Sequence, residues 1–120
     1  MNKPTLIIGA SENPERYSNK AAVSLKKHGH SIFLIGNKIG EIEGININVE
    51  KINFQNIDTV TLYLNKNNQA NFVDYIYSLN PKRIIFNPGA ENPEFYKAAT
   101  QKGIECVEGC TLVMLSIGNY

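Results

Sequence analysis

The stretch Thr5-Leu6-Ile7-Ile8-Gly9-Ala10-Ser11-Glu12-Asn13-Pro14-Glu15-Arg16-Tyr17-Ser18 decides how the rest of the chain is read. It opens with a short apolar run that ends in glycine, the pattern of a central strand buried on both faces. A polar loop with an Asn-Pro turn signal follows. Ser18 is placed to cap a helix starting near Asn19, where Ala22, Val23 and Leu25 form the apolar stripe. Lys20, Lys26 and Lys27 form its wet face, and Gly29 stops it. Strand, glycine loop, helix is the opening unit of a parallel α/β sheet.

The same alternation continues outward from this unit. Ser31–Ile35 reads as a second strand. Ile39–Val49 carries Gly40 and Gly44 among alternating apolar residues, and reads as a meandering connection with at most a short extended piece. Phe54 and Ile57 are expected to anchor a turn. Thr59–Leu64 has strand composition. A polar loop, Asn65-Lys66-Asn67-Asn68, then leads to a helix over about 69–79. Arg83–Phe86, a helix from Pro93 to Lys102, the strand Ile104–Val107 and a last helix Thr111–Ile117 complete the chain. The expected architecture is one domain over residues 1–120: a three-layer, doubly wound, mostly parallel five-stranded sheet of Rossmann-like type.

Composition narrows the function classes. With 120 residues, 42% hydrophobic, the chain suits a single cored domain. Twelve basic against eleven acidic residues leave a net charge of +1, so any anion site is local, and neither nucleic acid nor a membrane is the expected partner. No run approaches the ~18 apolar residues of a membrane span. Leu6-Ile7-Ile8 is too short for a signal peptide's apolar region, so a cytoplasmic protein is expected. Cys106 and Cys110, four residues apart, suit neither a disulfide nor, with His28 and His30 far off in sequence, a zinc site.

An open parallel sheet binds ligands beyond the carboxyl ends of its strands. The loops at that edge cover residues 9–18, 36–40, 65–68, 87–92 and 108–111. Gly9 lets backbone approach a phosphate, Ala10 and Ser11 offer N–H donors, and the helix start adds positive potential. Arg16 and Lys20 are candidate phosphate partners. A dinucleotide fingerprint needs GxGxxG and a carboxylate after the second strand. This chain has one glycine in the first turn and Gly36-Asn37-Lys38 after the second strand. A lysine there suits a phosphorylated ribose, as in NADP or coenzyme A.

The run Ile8-Gly9-Ala10-Ser11, with Asn13-Pro14, Arg16 and Ser18 behind it, resembles the small bacterial coenzyme A-binding proteins. Their domain is also found in succinyl-CoA synthetase α-subunits. That family's V-x-G-A-S loop is followed by Arg-x-Ser and a helix. Ile35-Gly36-Asn37-Lys38 resembles its second-strand turn, Ile42 and Gly44 its I-x-G, Asn87-Pro88-Gly89 its Q-x-G loop and Glu108-Gly109-Cys110 its Asp-Arg-Cys turn. The chain departs from the pattern in lacking the proline of the second turn. Asn87-Pro88 also stands for Gln-Leu, and Glu108-Gly109 for Asp-Arg. The resemblance implies coenzyme A or an acyl-CoA as ligand. Gly9, Ala10 and Ser11 would hold the pyrophosphate, assisted by Arg16 and Ser18. Asn37 and Lys38 would face the ribose and its phosphate. Asn65 and Lys66 would lie along the adenine or pantetheine path, with Asn87 and Gly89 in the fourth loop.

Catalytic machinery is sparse. His28 and His30 belong to the amino-end edge of the sheet. Cys110, before a helix, is placed either for a mixed disulfide with the coenzyme thiol or as a small buried residue. Glu91 and Glu94 read as helix-dipole partners. No Ser/His/Asp set appears. The expected function is therefore a non-catalytic coenzyme A-binding protein. The alternatives are an NADP-binding redox or regulatory domain, a subunit of a split acyl-CoA synthetase, and a ligand-free scaffold.

Overall fold

The computed structural model describes all residues, 1–120. Seven strands are present: β1 (Thr5–Ile8), β2 (Ile32–Ile35), β3 (Gly40–Ile42), β4 (Ile45–Asn48), β5 (Thr59–Leu62), β6 (Arg83–Phe86) and β7 (Glu105–Glu108). The helices are α1 (Tyr17–Lys27), α2 (Lys66–Gln69), α3 (Val73–Ser78), α4 (Pro93–Gln101) and α5 (Thr111–Ser116), with a 3₁₀ turn at Ala70–Phe72 between α2 and α3. The strand order is β3-β4-β2-β1-β5-β6-β7. Every pairing is parallel except β3 with β4.

All five expected strands form, but the sheet has two more. The meandering connection is in fact a hairpin whose β4 extends the parallel sheet beside β2. Its turn is Glu43-Gly44, and both residues have positive φ (52° and 79°). Two such residues match the right-handed twist of the flanking strands. Ile42 and Ile47 are buried while Glu41 and Asn46 face water. The alternation was legible, but glycines every few residues masked it.

The core divides between the two faces of the sheet because successive strand residues point to opposite sides. Leu6 and Ile8 join Ile76 of α3 and Phe95 and Ala99 of α4. Ile7 joins Ala22 and Leu25 of α1 and Leu115 of α5. Val23 faces solvent, and Ala21 takes its place in the stripe. No helix is long and apolar enough to cross a membrane.

Two helix starts differ from expectation. Arg16, not Ser18, is the N-cap of α1, so Ser18 lies inside the first turn, buried. The helix expected from residue 69 starts earlier, at Lys66, because the Asn65 side chain accepts from Asn68 N–H at 3.0 Å. Asparagine is a strong N-cap, and the polar run that looked like loop is the first helical turn.

Candidate ligand-binding site

The chain runs from β1 outward through β2 to the hairpin, then crosses back to β5 on the other side of β1. The order therefore reverses between β1 and β5, where open α/β sheets leave a crevice. A cleft of ≈ 810 Å³ lies there. Its floor is Ile8, Gly9, Ala10 and Ser11, with Glu15 to Ser18 at one lip. Ile35, Gly36, Asn37 and Val49 line the β2 side, and Tyr63, Leu64, Asn68, Asn71 and Phe72 the β5 side.

Two glycines make the floor possible. Gly9 has φ +99°, and a Cβ there would stand 3.0 Å from the Tyr63 carbonyl oxygen. A Cβ on Gly36 would stand 2.3 Å from the Ala10 carbonyl oxygen, inside any allowed contact. The end of β2 is thus pressed against the loop. The loop is also tied from behind: Asn19 Nδ2 donates to the Ser11 carbonyl at 2.9 Å. A Glu12 carboxylate oxygen accepts from Glu41 N–H at 2.9 Å, with Gly40 leaving room for the side chain.

The donor inventory differs from the sequence expectation. Gly9 and Ala10 N–H both donate to the Ile35 carbonyl at 2.9 Å, so they hold β2 rather than face the cleft. The N–H groups of Ser11, Tyr17 and Ser18 have no protein acceptor. Those of Tyr17 and Ser18 belong to the first turn of an 11-residue helix, where the orphan donors and the macrodipole favour an anion. Ser18 is only 4% exposed, yet its hydroxyl makes no hydrogen bond within the protein. Arg16 is exposed at the lip.

Of the residues singled out in the sequence, Gly9, Ala10, Ser11, Arg16, Ser18 and Asn37 meet at this cleft. Lys38 lies in an adjoining recess of ≈ 220 Å³ that shares Ala10, Ser11 and Asn37 with it. The other five stand elsewhere. Lys20 is exposed on α1 and lines neither the cleft nor the recess, so it leaves the set of phosphate partners. Asn65 is engaged as a helix cap, and Lys66 pairs with Glu94 at 2.5 Å. Its hydrogen bond holds the exposed Glu94 carboxyl below the ordinary range. Asn87 is buried and fully used. Its Nδ2 donates to Thr61 Oγ1 (2.6 Å) and the Leu62 carbonyl (2.9 Å), and its Oδ1 accepts from Thr111 N–H (2.9 Å). Gly89 N–H donates to Glu91. Asn87 therefore joins β5, β6 and α5 instead of facing a ligand.

Neither histidine nor cysteine lines the cleft. His30 accepts from Lys3 N–H at 2.9 Å at the opposite edge, and Cys110 sits half-buried as N-cap of α5 without a side-chain cap bond. The Tyr63 hydroxyl is enclosed without a hydrogen-bond partner, and burial pushes the phenol's pKa far up, so it is neutral. Tyr17, Gly36, Asn68, Asn71 and Phe72 were not singled out. Gly36 carried a signal, a glycine directly after an apolar strand. The asparagines were hidden in a polar run that offered no register.

The family model described as "CoA binding domain" matches residues 3–116. The chain belongs to the CoA-binding domain family. No curated protein matches it. Among solved structures, this CoA-binding-domain chain is similar to an uncharacterized protein at 49% identity, with 100% of this chain and 99% of that one covered and a TM-score of 0.97. A hypothetical protein from Pyrococcus horikoshii OT3 is 22% identical, with 96% and 82% covered and a TM-score of 0.87. A protein from Thermus thermophilus is 17% identical, with 98% and 90% covered and a TM-score of 0.85. The last two likenesses speak for the fold alone.

Proposed function

We propose that residues 1–120 act as one ligand-holding unit that binds coenzyme A or an acyl-CoA in the cleft between β1 and β5, without catalysis of its own. The observation that carries this is the convergence of unspent donors at the cleft floor. Ser11, Tyr17 and Ser18 N–H, the Ser18 hydroxyl and the Arg16 guanidinium stand where Gly9 and Gly36 leave no side chain. That set suits adjacent phosphates, whose oxygens only accept. The cleft volume falls within the range of small-molecule sites. Lys38 in the adjoining recess suits the ribose phosphate that distinguishes coenzyme A from its dephospho form. Bound coenzyme A carries an acyl group as a thioester on its thiol. The protein's own part is to hold the nucleotide end: α1 neutralises charge, Arg16 closes the lip and Asn37 flanks the ribose.

Thermal unfolding with coenzyme A, acetyl-CoA, NADPH and ATP tests the reading. At ~100 times its dissociation constant, coenzyme A is expected to add ~2.7 kcal/mol. Lys38→Ala is expected to weaken coenzyme A more than dephospho-coenzyme A. No shift with any CoA species overturns the proposal, and equal losses for both ligands remove Lys38 from it.

A further inference from the structure

The two outer strands of the sheet are finished differently. On β3 the Glu41 N–H is taken by the Glu12 carboxylate at 2.9 Å. On β7 nothing plays that part. Glu105 and Gly109 N–H turn inward, to the Lys82 and Phe86 carbonyls at the two ends of β6. The alternate residues, Cys106 and Glu108, therefore turn their N–H and C=O groups outward, and none of these groups bonds within the protein. An open strand of this kind is a template for another strand.

The surface beside it is uncharged. From Gly109 to Tyr120 the chain has no charged side chain. α5 buries Thr111 and Leu115, and Met114 leans toward β7. A Cβ on Gly109 would stand 3.5 Å from Val107 Cγ1 and 3.8 Å from Met114 Sδ. Val113 and Ile117, spaced i, i+4, continue the stripe and are 53% and 66% exposed. A surface helix ordinarily turns charged side chains to water on that face. Apolar stripe and open strand thus adjoin.

We propose that β7 pairs antiparallel with β7 of a second copy of this chain, with the two-fold axis passing through Val107. The register follows from which groups face outward. Cys106 stands opposite Glu108 of the second copy, and each such pair exchanges both of its N–H···O=C bonds. Val107 then meets its own counterpart, and Glu105 faces the second copy's Gly109. Moving the axis to Glu108 would set two carboxylates opposite each other. Moving it to Cys106 would pair Glu108 with Ile104, whose N–H is already spent on the Ala99 carbonyl. An axis normal to the sheet keeps both α5 helices on one face, where their stripes flank it. A stable dimer buries about 1,000 Å² or more. A four-residue ladder does not supply that alone, and the α5 stripes add the apolar area. The second copy is the occupant because this surface is complementary to itself: open strand meets open strand, stripe meets stripe, and no opposite charge is required.

Sedimentation equilibrium between about 1 μM and 1 mM tests this. The parent is expected to reach twice the mass of one chain. The Val113→Lys/Ile117→Lys variant should stay at the mass of one chain over the same range. Both side chains are exposed, so its circular dichroism and its response to coenzyme A should match the parent's. With copper–phenanthroline as oxidant, Glu108→Cys should join the native Cys106 of the second copy and give a reducible band of doubled mass. Glu105→Cys, which faces Gly109, should not. A parent of single-chain mass throughout overturns the proposal, as does a doubled mass that the lysine variant leaves unchanged. Equal cross-linking through Glu105→Cys and Glu108→Cys overturns it as well. These outcomes are independent of the ligand reading, which concerns the cleft.

Discussion

At the scale of single residues, the floor of the cleft depends on atoms that are absent. Gly36 has no unusual φ, yet a methyl group there would meet the Ala10 carbonyl oxygen at 2.3 Å and the Ile47 side chain at 3.0 Å. Backbone cannot yield as a flexible side chain can. Gly36→Ala is expected to cost about 1–3 kcal/mol in denaturant unfolding, the usual penalty of overpacking. It should weaken coenzyme A further by displacing the loop. Gly44→Ala is the control, since a Cβ there meets nothing within 4 Å and only the positive φ is penalised. A Gly36→Ala protein as stable as the parent would show that β2 and the loop are not held this tightly. Asn87 teaches the complementary lesson: a loop asparagine at the right edge of the sheet serves the fold, with all its hydrogen-bonding capacity toward β5 and α5 already used.

At the scale of elements, α2 is four residues long and cannot persist on propensity alone. It is held at its start by the Asn65 cap and at its end by the buried Gln69 amide. Asn65→Ala is expected to lose about 1 kcal/mol of stability, while Asn65→Asp, which keeps the cap, should lose far less. Urea unfolding of the pair distinguishes this from a ligand-contact role, in which stability would not change and affinity alone would drop. The β3–β4 hairpin is the other decisive element. It widens the parallel sheet beside β2, and Glu12 ties it to the loop that floors the cleft.

At the scale of the whole molecule, the two edges of the sheet have different tasks. The carboxyl-end edge holds the cleft, while the amino-end edge is closed by a polar cluster around Tyr120. Its carbonyl accepts from Lys3 Nζ (2.7 Å) and Arg83 Nη1 (2.8 Å), and its hydroxyl meets Thr5. The His30 ring packs tilted against the Tyr120 ring, centroids 4.9 Å apart, and its Nδ1 accepts from Lys3 N–H. Burial lowers the His30 pKa, and the N-terminal amino group, then His28, Lys3 and Arg83, add repulsion from around it. The unfolded chain therefore takes up a proton before the folded one does. Stability is expected to be full above the ordinary value of 6.5 and to decline as pH falls below it toward the folded-state pKa. Melting temperatures from pH 8 to 5 test this. A His30→Asn variant should be flat where the parent declines, and parallel profiles would exclude His30 as the cause.

The order of strands and helices was legible in the chain because it rests on local periodicity: apolar runs of four or five residues and glycine stops. The same pattern placed Gly9, Ala10, Ser11, Arg16 and Ser18 on one loop, since the carboxyl end of β1 follows from direction alone. Only the tertiary structure decided which of those groups are free. Gly9 and Ala10 N–H bond Ile35, far along the chain, and so leave the donor set. The rotation that points Asn68 and Asn71 into the cleft depends on the Leu64, Ala90 and Asn92 partners of Gln69. Periodicity reports which face of an element is apolar. Hydrogen-bond partners and close backbone approaches come from residues brought together by the fold, and no local pattern encodes them.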